Sequence, residues 1–132
     1  MTVLIIGFTA VILLMIVVVT DISKVFLVRR DLDATADGAV LAAANGLATV
    51  TVQPGPGRAA AIDPDQASRL TADYLDQIAA TTTFDNLTWS VTVEGTTVKV
   101  HLTSTTPLPF NPPGSPTTPT ITSEAAATVP IR

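Results

Sequence analysis

The sequence contains no cysteine and only one histidine among its 132 residues. Without cysteine there can be no disulfide, no thiol nucleophile and no cysteine-ligated metal. Lysine and arginine number 7 against 11 aspartates and glutamates, which gives a net charge of -4. This balance argues against nucleic acid as a partner, because nucleic-acid-binding proteins carry clustered basic residues.

Charged residues are also missing from the first 20 positions, Met1 to Thr20, which we call the apolar span. A helix of this length reaches about 30 Å, the thickness of the hydrocarbon core of a bilayer. The run is longer and more uniform than the apolar part of a secretory signal peptide, and it carries no basic leader. We therefore predict a retained transmembrane helix. A buried core helix is the alternative, but the remaining residues could hardly enclose so apolar a cylinder.

The residues after the apolar span give conflicting signals about orientation. Lys24, Arg29 and Arg30 would place the C-terminal side in the cytoplasm by the positive-inside rule. Three aspartates lie among these basic residues, at positions 21, 31 and 33. Two interpretations of Met1 stay open. It follows a short basic leader that was removed on the cytoplasmic side, or it is the initiator methionine.

An apolar stripe continues beyond the apolar span, over a segment that we call the stalk (residues 21–48). Its members recur at spacings of three and four, which is the period of one helix face. With Arg29 filling one gap, the stripe consists of Ile22, Val25, Phe26, Leu32, Ala36, Val40, Ala43 and Leu47. We predict that this stripe packs against the rest of the chain, which we call the head (residues 49–132).

The opposite face of the same helix is expected to be polar, since it carries Asp21, Lys24, Asp31 and Thr35. Asn45-Gly46 is a typical C-terminal stop. The two segments together thus predict one helix from Met1 to about Asn45, on the order of 65–70 Å long.

A second helix is predicted after a turn at "QPGPGR" (residues 53–58). Asp63 suits the N-cap, Pro64 the first helical position, and Gln66 a capping box. The helix is expected to end near Ala80. Its apolar face consists of Ala67, Leu70, Tyr74, Leu75 and Ile78.

From residue 87 onwards apolar and polar residues alternate, which predicts β-strands with one buried face. One strand runs over 87–93 and a second over 97–103, joined by a turn at Glu94-Gly95-Thr96. A third strand is predicted over 121–131, after a proline-rich loop at 106–119 that cannot lie inside a sheet. The fold class is therefore α+β, with a three-stranded antiparallel sheet under helical cover. So small a head has a thin core, which explains why the apolar stripe extends along the stalk.

No catalytic or metal-binding constellation stands out in the sequence. His101 lies on the polar face of a strand, and no partner is identifiable for it. The aspartates at 63, 65, 73 and 76 match no EF-hand spacing and suit a capped, solvated helix. Trp89 and Tyr74 are read as core residues. The sequon at Asn86, together with the threonines near the prolines, leaves glycosylation open beside the simpler reading of threonine on exposed strands.

Four features follow one another within the first 47 residues. After the apolar span come Asp21, the patch Val25-Phe26-Leu27, the pair Arg29-Arg30 and the stretch "ADGAVLAAA" (residues 36–44). In this order they resemble the TadE/TadG-like minor pilins (pseudopilins) of the Tad/Flp type IV pilus. The resemblance implies a pilin-like lollipop, in which a long N-terminal helix carries a small head. One departure is Ile5, where many pilins have a glutamate that meets a neighbouring subunit.

The resemblance further implies a structural subunit of a surface filament, without enzymatic activity or cofactor. Its partners would be copies of itself or other pilins through the N-terminal helix, and membrane lipid before assembly. The protein would cross the inner (cytoplasmic) membrane once, with its head outside the cytoplasm, and reach the cell surface on assembly. The expected assembly residues are Leu4, Ile5, Gly7, Phe8, Val11, Ile12, Met15 and Val18.

Two other functions stay open at this point. One is a single-pass accessory protein of a secretion or pilus machine that never polymerises. The other is an anchored enzyme or solute-binding module, which would need a pocket with converging polar groups. The sequence identifies no surface receptor or glycan.

Overall fold

The computed structural model describes residues 1–51, 62–110, 114 and 117–129. Its elements follow one another as three helices and three strands. They are α1 (Thr2–Thr51), α2 (Pro64–Gln77), α3 (Ala80–Thr83), β1 (Asp85–Glu94), β2 (Thr97–Thr105) and β3 (Thr120–Thr128). The predicted α+β class, with a long N-terminal helix, a second helix and a three-stranded sheet, is confirmed.

Helix α1 runs unbroken through 50 residues, a length of about 75 Å. The predicted end at Asn45-Gly46 was wrong. Leu47 is buried, and Gly46 lies so close to α2 that a Cβ there would come within 2.7 Å of a methyl carbon of Leu70. Tertiary packing in this last part of α1 thus outweighs the cost of a glycine in a helix, about 1 kcal/mol.

Helix α2 begins as predicted. Asp63 is its N-cap and accepts a hydrogen bond from the backbone N–H of Asp65 at 3.0 Å, and Pro64 opens the helix. The helix ends at Gln77, three residues earlier than expected, because Ala79 adopts a left-handed conformation (φ 52°) before the single turn of α3.

The sheet has the order β1-β2-β3, and both pairs are antiparallel. Val91 of β1 pairs with Val100 of β2, which in turn pairs with Ala125 of β3. On the central strand the alternate residues Val98, Val100 and Leu102 are fully buried. The period-two pattern of the sequence therefore corresponds to one buried face.

The stalk forms part of the core of the head. Helix α1 contacts β3, β2 and α2. Its buried side chains between residues 32 and 47 share one cluster with buried residues of α2, β2 and β3. Alanines make up more than half of the buried apolar residues of the stalk, and β3 adds Ala125; such small side chains let a helix lie close to a sheet.

Three predicted features lie wholly or partly outside the described residues. They are the turn at 53–58, the proline-rich loop at 111–113 and 115–116, and the end of the third strand at Ile131.

Candidate assembly interface

The apolar span extends beyond the head, and each of its residues except the half-buried Val17 is exposed. All of the predicted assembly residues are exposed, from 39 % at Val18 to 72 % at Leu4 for those with large side chains. A Cβ added at Gly7 would meet no atom within 4 Å. By length and composition α1 is able to cross a membrane. So large an apolar surface needs either lipid or other apolar side chains around it.

Hydroxyl groups in this region are satisfied within the helix itself. Thr9 donates to the carbonyl oxygen of Ile5, and Thr20 donates to that of Ile16, both at 2.8 Å. Neither hydroxyl therefore needs water as a partner, and both threonines are compatible with lipid or with a dry helix bundle.

The stripe on the stalk divides into two parts. Five residues are buried in the core of the head, and Val25 packs partly against it. The five are Leu32, Ala36, Val40, Ala43 and Leu47.

Ile22 and Phe26, by contrast, are 63 % and 64 % exposed, so their assignment to head packing was wrong. The side of α1 that faces the head at this level carries Asp21, Val25 and Val28. At about 100° per residue, Ile22 and Phe26 point away from it.

Asp21 requires a second correction, because the sequence placed it on the polar, solvated face. Its side chain is buried, and its Oδ1 accepts a hydrogen bond from the backbone N–H of Phe110 at 3.2 Å. One turn further on, Lys24 Nζ donates to the carbonyl oxygen of Pro107 at 2.8 Å. These two bonds, which we call the loop clamp, hold the first part of the proline-rich loop against α1.

Asp21 Oδ2 is also buried but has no hydrogen-bond partner within the part of the chain that the structure describes. Sequence reasoning missed the loop clamp. The available signal was helical spacing, since Asp21 precedes Val25, Val28 and Leu32 by four, seven and eleven residues and so shares their face.

A second polar tie joins stalk and head further from the apolar span. The hydroxyl of Ser123 on β3 donates to Asp33 Oδ1 of α1 in a short hydrogen bond of 2.5 Å. Ser123 is buried, so its hydroxyl depends on this partner. The head is therefore fixed to α1 by hydrogen bonds at two levels, near Asp21 and near Asp33, with the apolar core continuing beyond them.

The titratable groups of the sheet lie at its surface. His101 and Glu124 are neighbours on β2 and β3, with 3.4 Å between Nδ1 and Oε2, and both are exposed. Glu94 lies 2.8 Å from Lys99, and the hydrogen bond and negative charge of its carboxylate raise the pKa of the lysine.

The Asn86 amide of the sequon donates to the hydroxyl of Thr105 at 3.0 Å.

The described residues give no support for a catalytic or metal centre. Among them, no three histidine, aspartate or glutamate side chains are grouped so as to hold a metal ion. An open groove of about 290 Å³ lies between α2 and β1, where Asp65, Ser68, Arg69 and Ala72 face Trp89. Its polar groups show no nucleophile activated by an adjacent base, as covalent catalysis would require.

In a comparison with known proteins, one family model matches the first part of the chain. Residues 1–46 match a family model described as "Putative Flp pilus-assembly TadE/G-like". The match confirms the resemblance drawn from the sequence and covers the apolar span and nearly all of the stalk. No curated protein and no solved structure matches the chain.

Proposed function

We propose that this chain is a pilin-like structural subunit of a Tad-type or related surface filament. In this role the apolar span anchors the subunit in the membrane before assembly and joins it to other subunits afterwards. The family match over residues 1–46 and the apolar helix fit a membrane-anchored, pilus-related protein. The observation that carries the finer proposal is the exposure of the apolar span, at every residue except the half-buried Val17, on a helix whose continuation packs into the core of the head.

Transfer from membrane to filament needs little change in what the apolar span contacts. In lipid its side chains are surrounded by acyl chains, and in a filament they are surrounded by the same surfaces of neighbouring helices. Association in such a setting depends on van der Waals packing and on small residues that let helices approach. Gly7, with open space around its Cα, is where we expect the closest approach between subunits.

The stalk determines how the head is displayed. Because α1 is continuous and the head is held at Asp21, at Asp33 and through the core, the head has a fixed position relative to the apolar span. When the spans of several subunits bundle, their heads would be arrayed on the outside of the filament. The head lies outside the cytoplasm in this proposal, and the assembled filament lies at the cell surface.

The experiment that tests this function is to shear filaments from cells that produce the protein and to identify the subunits by mass spectrometry. We expect the chain in the sheared fraction, while an unrelated single-pass membrane protein stays with the cells as the contamination control. Recovery of the chain only from membranes, while filaments are still present, would contradict polymerisation. That result would favour an accessory protein of the assembly machine.

A further inference from the structure

We infer that Ile22, Phe26, Leu27 and Phe110 form an apolar collar that seats in the interfacial region of the bilayer, between the acyl chains and the lipid headgroups. The inference rests on the membrane anchoring in the proposed function and adds a second lipid-contacting element, part of which comes from the head. The occupant that we assign to this surface is lipid.

The collar is continuous with the apolar span. Residues 2–20 of α1 cover about 29 Å, close to the thickness of the hydrocarbon core. Ile22, Phe26 and Leu27 follow within the next two turns and are 56–64 % exposed. Directly after the collar the exposed positions Arg29, Arg30, Asp31 and Asp33 are all charged, which marks the beginning of the aqueous side.

Phe110 reaches the same level through the loop clamp. Its backbone nitrogen lies 3.2 Å from Asp21 Oδ1, so this phenylalanine lies beside the first residue after the apolar span although it is 89 positions away in sequence. Its side chain is 47 % exposed. Within the part of the chain that the structure describes, this large aromatic ring stays about half exposed, and aromatic side chains are favoured where a membrane meets water.

The four side chains lie on different sides of α1. Ile22 and Phe26 are four residues apart and share one flank, while Leu27 lies on the other flank, at about 100° per residue. The remaining side faces the head, and there the loop supplies Phe110. Apolar side chains are therefore present on several sides of the helix within about 8 Å along its axis, as a membrane interface would require and a single neighbouring helix would not.

The loop clamp also removes an obstacle to this placement. Asp21 is the first charged residue after the apolar span, and an uncovered carboxylate at that depth would oppose insertion. The loop covers it, leaving the residue 6 % exposed, and offers it a backbone N–H. Lys24 is likewise directed to a backbone carbonyl of the loop.

The test is depth-dependent fluorescence quenching of the full-length chain in phosphatidylcholine vesicles. The native tryptophan is first replaced (W89F), and single tryptophans are then introduced as F110W or I22W. Separate vesicle preparations carry a quencher either at the headgroup level or deep in the acyl chains. We expect F110W and I22W to be quenched at least twofold more by the shallow quencher than by the deep one, and to be protected from aqueous iodide.

One further variant and the unaltered chain make the outcome decisive. L13W, in the middle of the apolar span, should respond mainly to the deep quencher, whereas the unaltered chain with Trp89 should respond only to iodide. Exposure of F110W to iodide without lipid quenching, while L13W is quenched at depth, would overturn the collar and leave the anchor intact. If F110W were quenched neither by lipid quenchers nor by iodide, a neighbouring subunit would cover this position instead of lipid. That result would also overturn the collar. Failure of L13W to respond to the deep quencher would overturn membrane anchoring and the collar together.

Discussion

Tyr74 of α2 lies directly against Gly38 of α1, with its ring in the space that a side chain at position 38 would occupy. A Cβ at Gly38 would be 2.1 Å from Tyr74 Oη and 2.7 Å from Cζ. The contact joins the two helices that cover the sheet. It also gives a physical reason for a glycine in the middle of a helix, where alanine would be favoured by about 1 kcal/mol.

Gly38→Ala should therefore destabilise the head despite its better helix propensity. Overpacking of this kind costs about 1–3 kcal/mol, which outweighs the gain in propensity. The measurement is urea unfolding of the full chain in detergent micelles, followed by Trp89 fluorescence. Gly7→Ala is the matched control, because a Cβ there meets nothing, and its unfolding midpoint should equal that of the unaltered chain. An unchanged midpoint for Gly38→Ala would show that Tyr74 is not held in place.

Val40→Asp tests whether the stalk is a core element of the head. Val40 is 2 % exposed, so the substitution would bury an unpaired carboxylate at a cost of several kcal/mol. We expect the head to lose its cooperative thermal transition in near-UV circular dichroism, while far-UV signals retain the helix in the apolar span.

The neighbouring residue Leu41 provides the control for this prediction. It is 55 % exposed on the same turn, and Leu41→Asp should change the stability of the head by less than about 0.5 kcal/mol. Equal effects of the two substitutions would mean that the stalk does not pack through the Val40 side.

The hydrogen bond between Asp33 and Ser123 should contribute a measurable coupling between stalk and sheet. A bond to a charged acceptor is worth about 1.5–3 kcal/mol. We expect Asp33→Ala and Ser123→Ala each to destabilise the head, and the double variant to cost less than their sum by about 1 kcal/mol or more. Strict additivity in this cycle, measured by urea unfolding, would indicate that the two side chains do not interact.

Leu13→Arg should prevent the chain from entering membranes or filaments. An arginine at the centre of a membrane-spanning helix costs about 2.5–3.5 kcal/mol on insertion scales. The amount of protein in carbonate-washed membranes and in sheared filaments should fall severalfold, while Leu13→Ile should behave like the unaltered chain. Normal amounts of Leu13→Arg in both fractions would be inconsistent with an apolar environment around this position.

Much of the fold could be predicted from the periodicity of apolar residues and from residues typical of helix starts and ends. The alternation after residue 87 predicted the sheet, and Asp63-Pro64 predicted the start of α2, because in these places local preference and tertiary packing agree. The predicted end of α1 at Gly46 failed because Leu70 packs over that glycine. A residue pair typical of helix ends, such as Asn45-Gly46, carries no information about a contact with Leu70, which is 24 positions further along the chain.

The surroundings of α1 were harder to predict where the apolar span ends than along the span itself. Uniform apolarity suffices to recognise the span, but Ile22, Phe26 and Asp21 sit where the surroundings of the helix change. Their environment depends on a loop that approaches from residues 107–110, and nothing local to residues 21–26 encodes that approach. The spacing from Asp21 to Leu32 indicated the face of Asp21, but its charge argued against burial.

Assembly through the apolar helix is tested most directly by a cysteine scan of the apolar span in filaments. Because the chain has no cysteine, single substitutions at Leu4, Ile5, Phe8, Val11, Ile12, Met15 and Val18 can be oxidised in sheared filaments without a background. We predict disulfide-linked dimers at a subset of these positions that recurs every three to four residues, and none for Leu41→Cys on the stalk. Filaments that contain these variants but yield only monomers at every position of the span would contradict assembly through the apolar helix.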